Sequence, residues 1–265
     1  AANVPASRTL FGDGFYTAYF APGGRRSLWP GHLQAFRVDE TLTVVDAADQ
    51  PAIDPLTNLF YEPRNPYWDA FDTLISDFNS RTIYTTKSGV RSAFTTSGIT
   101  ATDLGVALSE EPQYPQDPLV IDFTTAEQLA DAIVNFTHGF DAFDEDEDGD
   151  TTDVREFVLG DIFHSTPLAI GPPLSYLRNE TGYGPASLTN TFMYTYKHRD
   201  RVMYVGANDG MLHAFSAGSF VDPSPSVTGD EYYTPGDGHE RFAYIPAAVL
   251  PKIKDLPKWD QGKIY

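Results

Sequence analysis

Carboxylates concentrated between residues 141 and 156 are the side chains of this sequence best suited to chemistry. Aspartates stand at alternate positions from Asp144 to Asp150, and Gly149 follows the third of them. Calcium takes about six to eight oxygen ligands, and the loop pattern D-x-[DN]-x-[DN]-G supplies carboxylates at alternate positions before a glycine that allows a sharp turn. The spacing therefore predicts a Ca²⁺ site whose candidate ligands are Asp144, Asp146, Asp148, Asp150, Asp153 and Glu156.

The second half of this loop departs from the calcium-binding pattern. The bidentate acid is expected at the position of Arg155, and Glu156 lies one residue later. Asp150 stands where the pattern usually supplies a backbone carbonyl. The loop is therefore either a variant closed by Asp153 or Glu156, or a solvated acidic loop without an ion. The nine carboxylates between Asp141 and Glu156 would repel one another strongly without a cation, which favours a bound ion.

The sequence contains none of the common motifs of catalytic or cofactor-binding sites. The sequence has no cysteine, which excludes disulfides, cysteine-ligated zinc, iron–sulfur clusters and c-type haem attachment. His164-Ser165 lacks the G-x-S-x-G context of a nucleophile elbow, and we interpret it as turn chemistry beside a buried histidine. The histidines form no pair spaced by four residues, and no phosphate-binding or dinucleotide motif is present. The sequence thus predicts a protein that is not an enzyme.

The charge and hydropathy of the sequence argue against nucleic acid and membranes as binding partners. The formal net charge is −19 and the calculated isoelectric point is about 4.4. Nucleic acid and anionic lipid both require a basic surface, so neither is an expected partner. No run of 18 apolar residues exists, so no membrane span is predicted.

A short pattern that occurs twice indicates the fold. Residues 31–36 and residues 210–215 both read Gly-x-Leu-x-Ala-Phe. Alternation of apolar residues predicts a β-strand in each copy, and Asn208-Asp209-Gly210 predicts a hairpin turn of type I′ before the second. Two similar hairpins favour a repeated β-unit, most often found in β-propellers, although chance similarity between two ordinary strands is the alternative.

The remaining patterns predict a mainly β domain with a few short helices. Thr124 and Glu127 form a capping-box pattern that predicts a helix near residues 125–137. Spacing also predicts a short helix in residues 67–78 and a strand from residue 157 to residue 170. We divide the domain into a first β-rich part (residues 1–122), the helix with the acidic loop (residues 123–156) and later propeller strands (residues 157–265).

Four segments of the sequence resemble the PilY family of type IV pilus tip-associated adhesins and biogenesis proteins. Residues 159–167 (LGDIFHSTP) and residues 204–215 (YVGANDGMLHAF) are the specific matches. Residues 29–33 and residues 81–85 match looser motifs of the family. The resemblance implies a modified β-propeller of the quinoprotein-repeat type, incomplete in this chain. It also implies an extracellular location at the pilus, contact with pilins or minor pilins, and roles in adhesion, pilus assembly and the control of retraction.

The same resemblance implies that this chain is part of a longer protein. Family members usually carry an N-terminal domain of von Willebrand A type and more propeller strands, so we expect this chain to be a fragment. Its open strand edges are then completed by the remainder of its own polypeptide or by a second fragment. A host or surface ligand is a further expected partner. Calcium sites of the family lie mainly in a later blade. The resemblance therefore does not support a calcium site in the acidic loop, and that prediction depends only on the spacing of its carboxylates.

Two other functions remain as alternatives. One is a structural subunit of an extracellular filament that uses this fold. The other is a quinoprotein-like dehydrogenase, which the lack of cysteine and of a cofactor-binding constellation disfavours.

Overall fold

Strands dominate the computed structural model of the protein, which describes residues 4–20, 22, 28–114, 122–173, 179–185, 187–223 and 232–258. The strands are β1 (Val4–Phe11), β2 (Gly14–Phe20), β3 (Gly31–Val38), β4 (Val44–Val45), β5 (Trp68–Asp69), β6 (Ile83–Lys87), β7 (Val90–Ala93), β8 (Leu168–Ile170), β9 (Arg201–Gly206), β10 (Leu212–Gly218), β11 (Phe220–Val221), β12 (Tyr232–Tyr233) and β13 (Glu240–Ile245). The described α-helices are α1 (Ala70–Asp77), α2 (Ala101–Leu104), α3 (Ala126–His138) and α4 (Phe192–Tyr196), and 3₁₀ turns span Phe78–Ser80, Leu108–Gln113 and Leu250–Asp255. A mainly β fold with a few short helices is therefore confirmed.

The first copy of the repeated pattern forms β3, the third strand of an antiparallel meander. Strands β1 to β4 pair in chain order, and the short β5 also pairs with β3. Ala18 lies opposite Leu33, and Tyr16 lies opposite Ala35.

The second copy occupies the same place in a second meander. Strands β8, β9, β10 and β13 pair antiparallel, and β10 is again the third strand. Tyr204 lies opposite Ala214, as Tyr16 lies opposite Ala35 in the first sheet. The two copies thus share their position in the sheet and their register.

Strands β6 and β7 extend this second sheet to six strands, with β6 parallel to β13. A four-stranded antiparallel sheet is the unit of a propeller blade, but a mixed six-stranded sheet is not. The described residues do not close a propeller ring, so the propeller type is not confirmed. Strand β6 belongs to the first part of the predicted domain (residues 1–122), and its partner β13 belongs to the third part (residues 157–265). The two parts therefore share one sheet. Residues 259–265 of the third part lie outside the described residues.

The two sheets pack face to face. Side chains from β2 and β3 meet side chains from β8, β9 and β10 in one buried core, namely Tyr16, Ala18, Leu33, Ala35, Ala169, Met203, Val205, Phe215 and Ala217. The Tyr16 hydroxyl donates to the Ala217 carbonyl at 3.2 Å, which ties the first sheet to β10.

Residues 159–161 connect both sheets where β3 and β10 begin. The Gly31 amide donates to the Leu159 carbonyl at 3.0 Å, and the Gly160 amide donates to the Asp209 carboxylate at 3.0 Å. The Asn208 amide donates to the Asp161 carbonyl at 2.9 Å. The strand predicted within residues 157–170 was therefore wrong for its first part, because this backbone bonds to two different sheets. Regular pairing begins at β8.

The predicted turn before β10 is present, but its type was wrong. The Gly210 amide donates to the Ala207 carbonyl at 3.2 Å, so Asn208 and Asp209 are the central residues. Gly210 has a φ of +83° and is the only residue of this turn with positive φ. The turn is therefore type I with a glycine after it, a geometry that also joins antiparallel strands.

A buried polar network lies behind this turn. His213 is fully buried, and its Nδ1 donates to Glu240 at 2.6 Å while its Nε2 donates to Asp209 at 3.1 Å. Arg81 contacts Glu240 through Nε at 2.7 Å and Nη2 at 3.0 Å. Arg81 also donates to the last carbonyls of α3. The network therefore joins β10 and β13 to the turn and to α3.

Opposite charges keep the members of this network ionised. Burial alone would lower the pKa of His213, but Asp209 and Glu240 raise it to about 9. Burial alone would raise the pKa of Glu240, but Arg81 and His213 lower it to about 2. Against the effect of burial, His213 and the Gly160 amide lower the pKa of Asp209. Two positive and two negative charges are thus balanced inside the core, as buried charges require.

The predicted helix is α3, and it positions the acidic loop. Its apolar face, including Leu129, Ile133 and Phe136, is buried in a second core. The capping box is formed by Thr125 and Gln128, one residue later than predicted, because Gln128 rather than Glu127 reaches back to the N-cap amide. No described helix is long and apolar enough to cross a membrane.

We expect Gly31→Ala to lower the free energy of unfolding by about 1–3 kcal/mol, as overpacked sites do. A Cβ at Gly31 would lie 2.0 Å from the Gly160 carbonyl oxygen. The matched control is Gly206→Ala, whose Cβ would make an ordinary contact of 3.5 Å with Ser165 Oγ. Chemical denaturation measures both, and equal losses would contradict the close approach at Gly31.

A pH-dependent stability is expected from His213. Its folded pKa of about 9 exceeds the ordinary 6.5, so its stabilisation is complete below pH 6.5 and is lost as the pH rises through 9. Glu240 contributes above its ordinary pKa of 4.5 and loses that contribution as the pH falls through 2. We expect the free energy of unfolding to fall by roughly 1–3 kcal/mol between about pH 6.5 and 9.

Urea unfolding at several pH values measures this fall, and His213→Gln, which copies Gln34 of the first repeat, should abolish it. An NMR titration of the unsubstituted chain tests the same point without a variant. A His213 pKa at or below 6.5 would contradict the network.

Candidate metal centre

The acidic loop follows α3 and is fixed at both ends. Gly139, with a φ of +118°, ends the helix. Phe140 and Val154 form an antiparallel bridge, and the Asp141 amide donates to the Asp153 carbonyl at 3.0 Å. The carboxylates between these two anchors therefore lie in a closed loop.

Hydrogen bonds within the loop curl its backbone. The Gly149 amide donates to Asp144 Oδ1 at 3.1 Å, which joins the first and sixth positions of the predicted pattern. Positive φ angles occur at Asp144 (+52°), Glu147 (+63°) and Gly149 (+87°). The loop backbone is therefore strongly curved between Asp144 and Gly149.

Carboxylates of the loop converge in two groups that share Asp146. Within each group the candidate ligand oxygens lie within 4.8 Å of one another. The first group is Asp141, Asp144 and Asp146, and the second is Asp146, Asp148 and Asp153. In the described part of the chain, this loop alone brings three acidic or histidine side chains within such reach.

Two buried carboxylate oxygens in this loop have no hydrogen-bond partner. They are Asp144 Oδ2 and Asp153 Oδ1. The Asp144 residue is only 2% exposed, so its free oxygen is held away from bulk water. A buried polar atom without a partner costs free energy, and a cation ligated there would remove that cost.

Burial and repulsion between neighbouring carboxylates raise the pKa values of two aspartates in the loop. Burial, followed by the charges of Asp141, Asp148 and Asp146, raises the pKa of Asp153. Burial also raises the pKa of Asp141, with Asp146 and Asp144 adding to it, although backbone amides of the loop oppose the shift. These shifts have the sign that a bound cation would reverse.

Other candidates from the sequence lie elsewhere. Asp150 is exposed and accepts hydrogen bonds from the amide and hydroxyl of Thr152, which lower its pKa. Glu156 belongs to neither carboxylate group, but it lines a surface cavity of about 300 Å³ together with Asp141, Glu145, Asp146 and Val154. Among the predicted ligands, the structure thus places Asp144 with Asp146 in one group, and Asp146 with Asp148 and Asp153 in the other.

Arg155 and Asp141 account for the departure from the pattern. Arg155, at the position of the expected bidentate acid, is buried and donates to the Phe136 and Val158 carbonyls. Asp141 was absent from the predicted ligands because it precedes the pattern by three residues. The only sequence signal for Asp141 as a ligand was its position in the same acidic segment. The hydrogen bond between the Asp141 and Asp153 backbones cannot be read from the sequence.

Part of this chain is similar to known proteins. A segment of 112 residues, 42% of the chain, is 34% identical to a type IV pilus biogenesis factor PilY1 homologue of Xylella fastidiosa strain Temecula1. The same length is 36% identical to PilY1 of Pseudomonas aeruginosa strain PAO1, and 104 residues are 38% identical to PilY1 of strain UCBPP-PA14. The aligned segment makes up 7–8% of each relative.

The resemblance to the PilY family is therefore confirmed, over about two fifths of the chain. No protein-family model matches the chain, and no solved structure matches it significantly. The two specific motifs, residues 159–167 and residues 204–215, also contact each other. Ser165 Oγ accepts the Gly206 amide at 3.1 Å, in addition to the bonds from Gly160 and Asn208.

Proposed function

We propose that this chain is a non-enzymatic part of a surface-exposed protein of type IV pili that acts in pilus biogenesis. The observation that carries the proposal is the similarity of about two fifths of the chain to PilY1 biogenesis factors. The aligned segment is 7–8% of the length of those relatives. Pilins or minor pilins are the proposed partners, with adhesion and retraction control as the proposed roles.

We also propose that the two meanders are blades of a propeller-like repeat. Support comes from the repeated pattern, which stands in the third strand of both meanders with the same register. Face-to-face packing of the two sheets is the arrangement that neighbouring blades have.

A non-enzymatic role is supported by the burial of the most reactive-looking side chains. His213, Asp209 and Glu240 are arranged as an acid–base constellation, but each is at most 4% exposed. A substrate cannot reach them without unfolding of the core. Ser165 Oγ accepts a backbone amide and is part of the contact between the two motifs.

The acidic loop is proposed to bind one Ca²⁺ ion. The two carboxylate groups, the unpartnered oxygens of Asp144 and Asp153, and the bond from Gly149 to Asp144 support this. Oxygen-only ligands suit Ca²⁺ better than the softer transition metals, and Ca²⁺ tolerates irregular ligand geometry better than the smaller Mg²⁺ does.

Calcium titration provides the test of this site. We expect isothermal titration calorimetry to detect one ion per chain, and the loop to resist protease only when calcium is present. Asp144→Asn should weaken binding by about tenfold or more, because it removes a buried charged ligand. Glu147→Gln removes a charge from the same loop outside both groups and should bind nearly normally. Absence of binding, or equal effects of the two variants, would contradict the site.

Genetic deletion tests the pilus function. In the organism that encodes this chain, loss of the gene should reduce the number of surface pili and the movement that depends on them, and the intact gene should restore both. Immunogold labelling then separates the filament alternative, since label along the whole fibre would indicate a structural subunit. Normal piliation and movement after deletion would contradict the proposal.

A further inference from the structure

Exposed leucines are concentrated at one end of the first sheet. Leu56 is 91% exposed, Leu42 is 85% exposed, Leu59 is 64% exposed and Leu10 is 62% exposed. In the described part of the chain, these are four of the five most exposed large apolar side chains, and the fifth, Val90, lies in the second sheet. Single exposed apolar residues are ordinary, but a concentration of them marks an interaction site.

The turns of residues 39–43 and residues 54–59 lie at the same end of the first sheet. Strand β3 leads into the first turn, and β4 runs back from it. Residues 51–53 run forward again beside β4, and the second turn follows them. The first turn contains Leu42 and the second contains Leu56, so both side chains emerge at this end.

Leu10 is close to the second of these turns. It pairs with Phe15 across the β1–β2 hairpin. The Phe15 ring lies 6.3 Å from the ring of Phe60, which directly follows Leu59. We therefore treat the exposed leucines of this end as one surface, the leucine tip, which consists of Leu10, Leu42, Leu56 and Leu59.

Side-chain hydrogen bonds hold both turns in place. The Asp39 carboxylate accepts the amides of Thr41 and Thr43 at 2.9 Å each. The Asp54 carboxylate accepts the Leu56 amide at 2.8 Å. A partner therefore meets leucines on preformed turns, and this lowers the ordering cost of binding.

Leu42 adopts a conformation that its residue type disfavours. Its φ of +64° lies in the left-handed region, where an aliphatic side chain costs free energy. Asp49 (+56°) and Asn58 (+57°) hold the same conformation in the two following turns, but Asp and Asn tolerate it. Because Leu42 is mostly exposed, burial does not offset the cost. Strain at an exposed residue points to a requirement outside the fold.

The two turns are acidic as well as apolar. Asp39, Glu40 and Asp54 place three carboxylates on them. No lysine occurs in residues 1–86, so arginine alone could supply a compensating charge from this part of the chain.

The arginines of the first sheet and its covering loop are engaged elsewhere. Arg37 Nη2 lies 2.7 Å from Asp49 Oδ1, and Arg64 Nε lies 2.9 Å from Glu62 Oε1. The Arg8 guanidinium lies over a phenylalanine ring, 5.9 Å from its centroid. The leucine tip therefore combines apolar side chains with negative charge.

We propose that the leucine tip docks on a partner protein that presents apolar side chains beside lysine or arginine. The apolar groups bury the leucines, and the cations pair with Glu40 and its neighbouring carboxylates. A second copy of this chain does not fit, because it brings the same carboxylates and a net charge of −19. An anionic membrane is repelled for the same reason. The proposal does not depend on the pilus function.

The strained leucine provides the first test. We expect Leu42→Asn to raise the urea midpoint of unfolding, because asparagine tolerates the left-handed conformation and no buried contact is lost. The same variant should bind a partner less well, so that stability and binding change in opposite directions. An unchanged or lower midpoint would overturn the argument that Leu42 is retained against the stability of the fold.

Two synthetic peptides provide the second test. Both are amphipathic helices of about 18 residues with a leucine face, and the polar face is lysine in one and glutamate in the other. Fluorescence anisotropy should detect binding of the lysine peptide alone, weakened by added salt. Leu56→Ser should weaken this binding by about fivefold or more, since it removes an apolar contact. Val90→Ser, which removes an equally exposed apolar side chain from the second sheet, should leave it unchanged.

NMR and two further probes locate the contact and identify its class. Chemical-shift changes on addition of the lysine peptide should concentrate in residues 39–43 and residues 54–59. Shifts concentrated elsewhere, equal binding of the two peptides, or equal effects of Leu56→Ser and Val90→Ser would overturn the proposal.

Leu56-dependent binding to vesicles of phosphatidylcholine and phosphatidylglycerol would overturn it in favour of a membrane. A dimer mass in sedimentation that Leu56→Ser abolishes would overturn it in favour of a second copy. None of these measurements involves calcium or pili, so failure here is distinguishable from failure of the proposed function.

Discussion

A buried charge network at one turn is the interaction on which the rest of the structure depends. His213 and Arg81 carry positive charge inside the core, where Asp209 and Glu240 balance it. Removing one member would leave a buried charge without a partner, which costs far more than an exposed ion pair contributes. Asp209 also accepts the Gly160 amide, so the network holds the segment that joins both sheets.

This arrangement explains how two repeats form one packed unit. The segment of residues 159–161 bonds to the start of β3 through Gly31 and to the start of β10 through Asn208 and Asp209. The backbones of Gly31 and Gly160 lie so close together that a side chain at Gly31 would clash with the Gly160 carbonyl. This close contact fixes the distance between β3 and the connecting segment. The network also reaches the end of α3 through Arg81, and the acidic loop begins directly after that helix.

Local signals in the sequence were sufficient for several elements, such as β3, β10 and α3, but not for their assembly. Alternation predicted β3 and β10, and the capping pattern predicted α3 with an error of one residue at its start. Burial of His213 beside Glu240 could not be predicted, because β13 lies 27 residues away in the chain and pairs only in the folded sheet. Asp141 was missed as a candidate ligand for the same reason, since its approach to Asp153 depends on the bridge between Phe140 and Val154. Spacing named Asp144, Asp146 and Asp148, and the structure places Asp146 in one group with Asp144 and in a second group with Asp148.

Native-state hydrogen exchange, followed residue by residue, tests most directly whether this network holds the two repeats together. The account predicts that the amides of Gly31, Gly160 and Asn208 exchange as slowly as the central amides of β9 and β10, because their carbonyl and carboxylate acceptors are released only when the whole core unfolds. Fast exchange at these three amides while β9 and β10 stay protected would show that residues 159–161 open independently. That result would contradict the central role of the network.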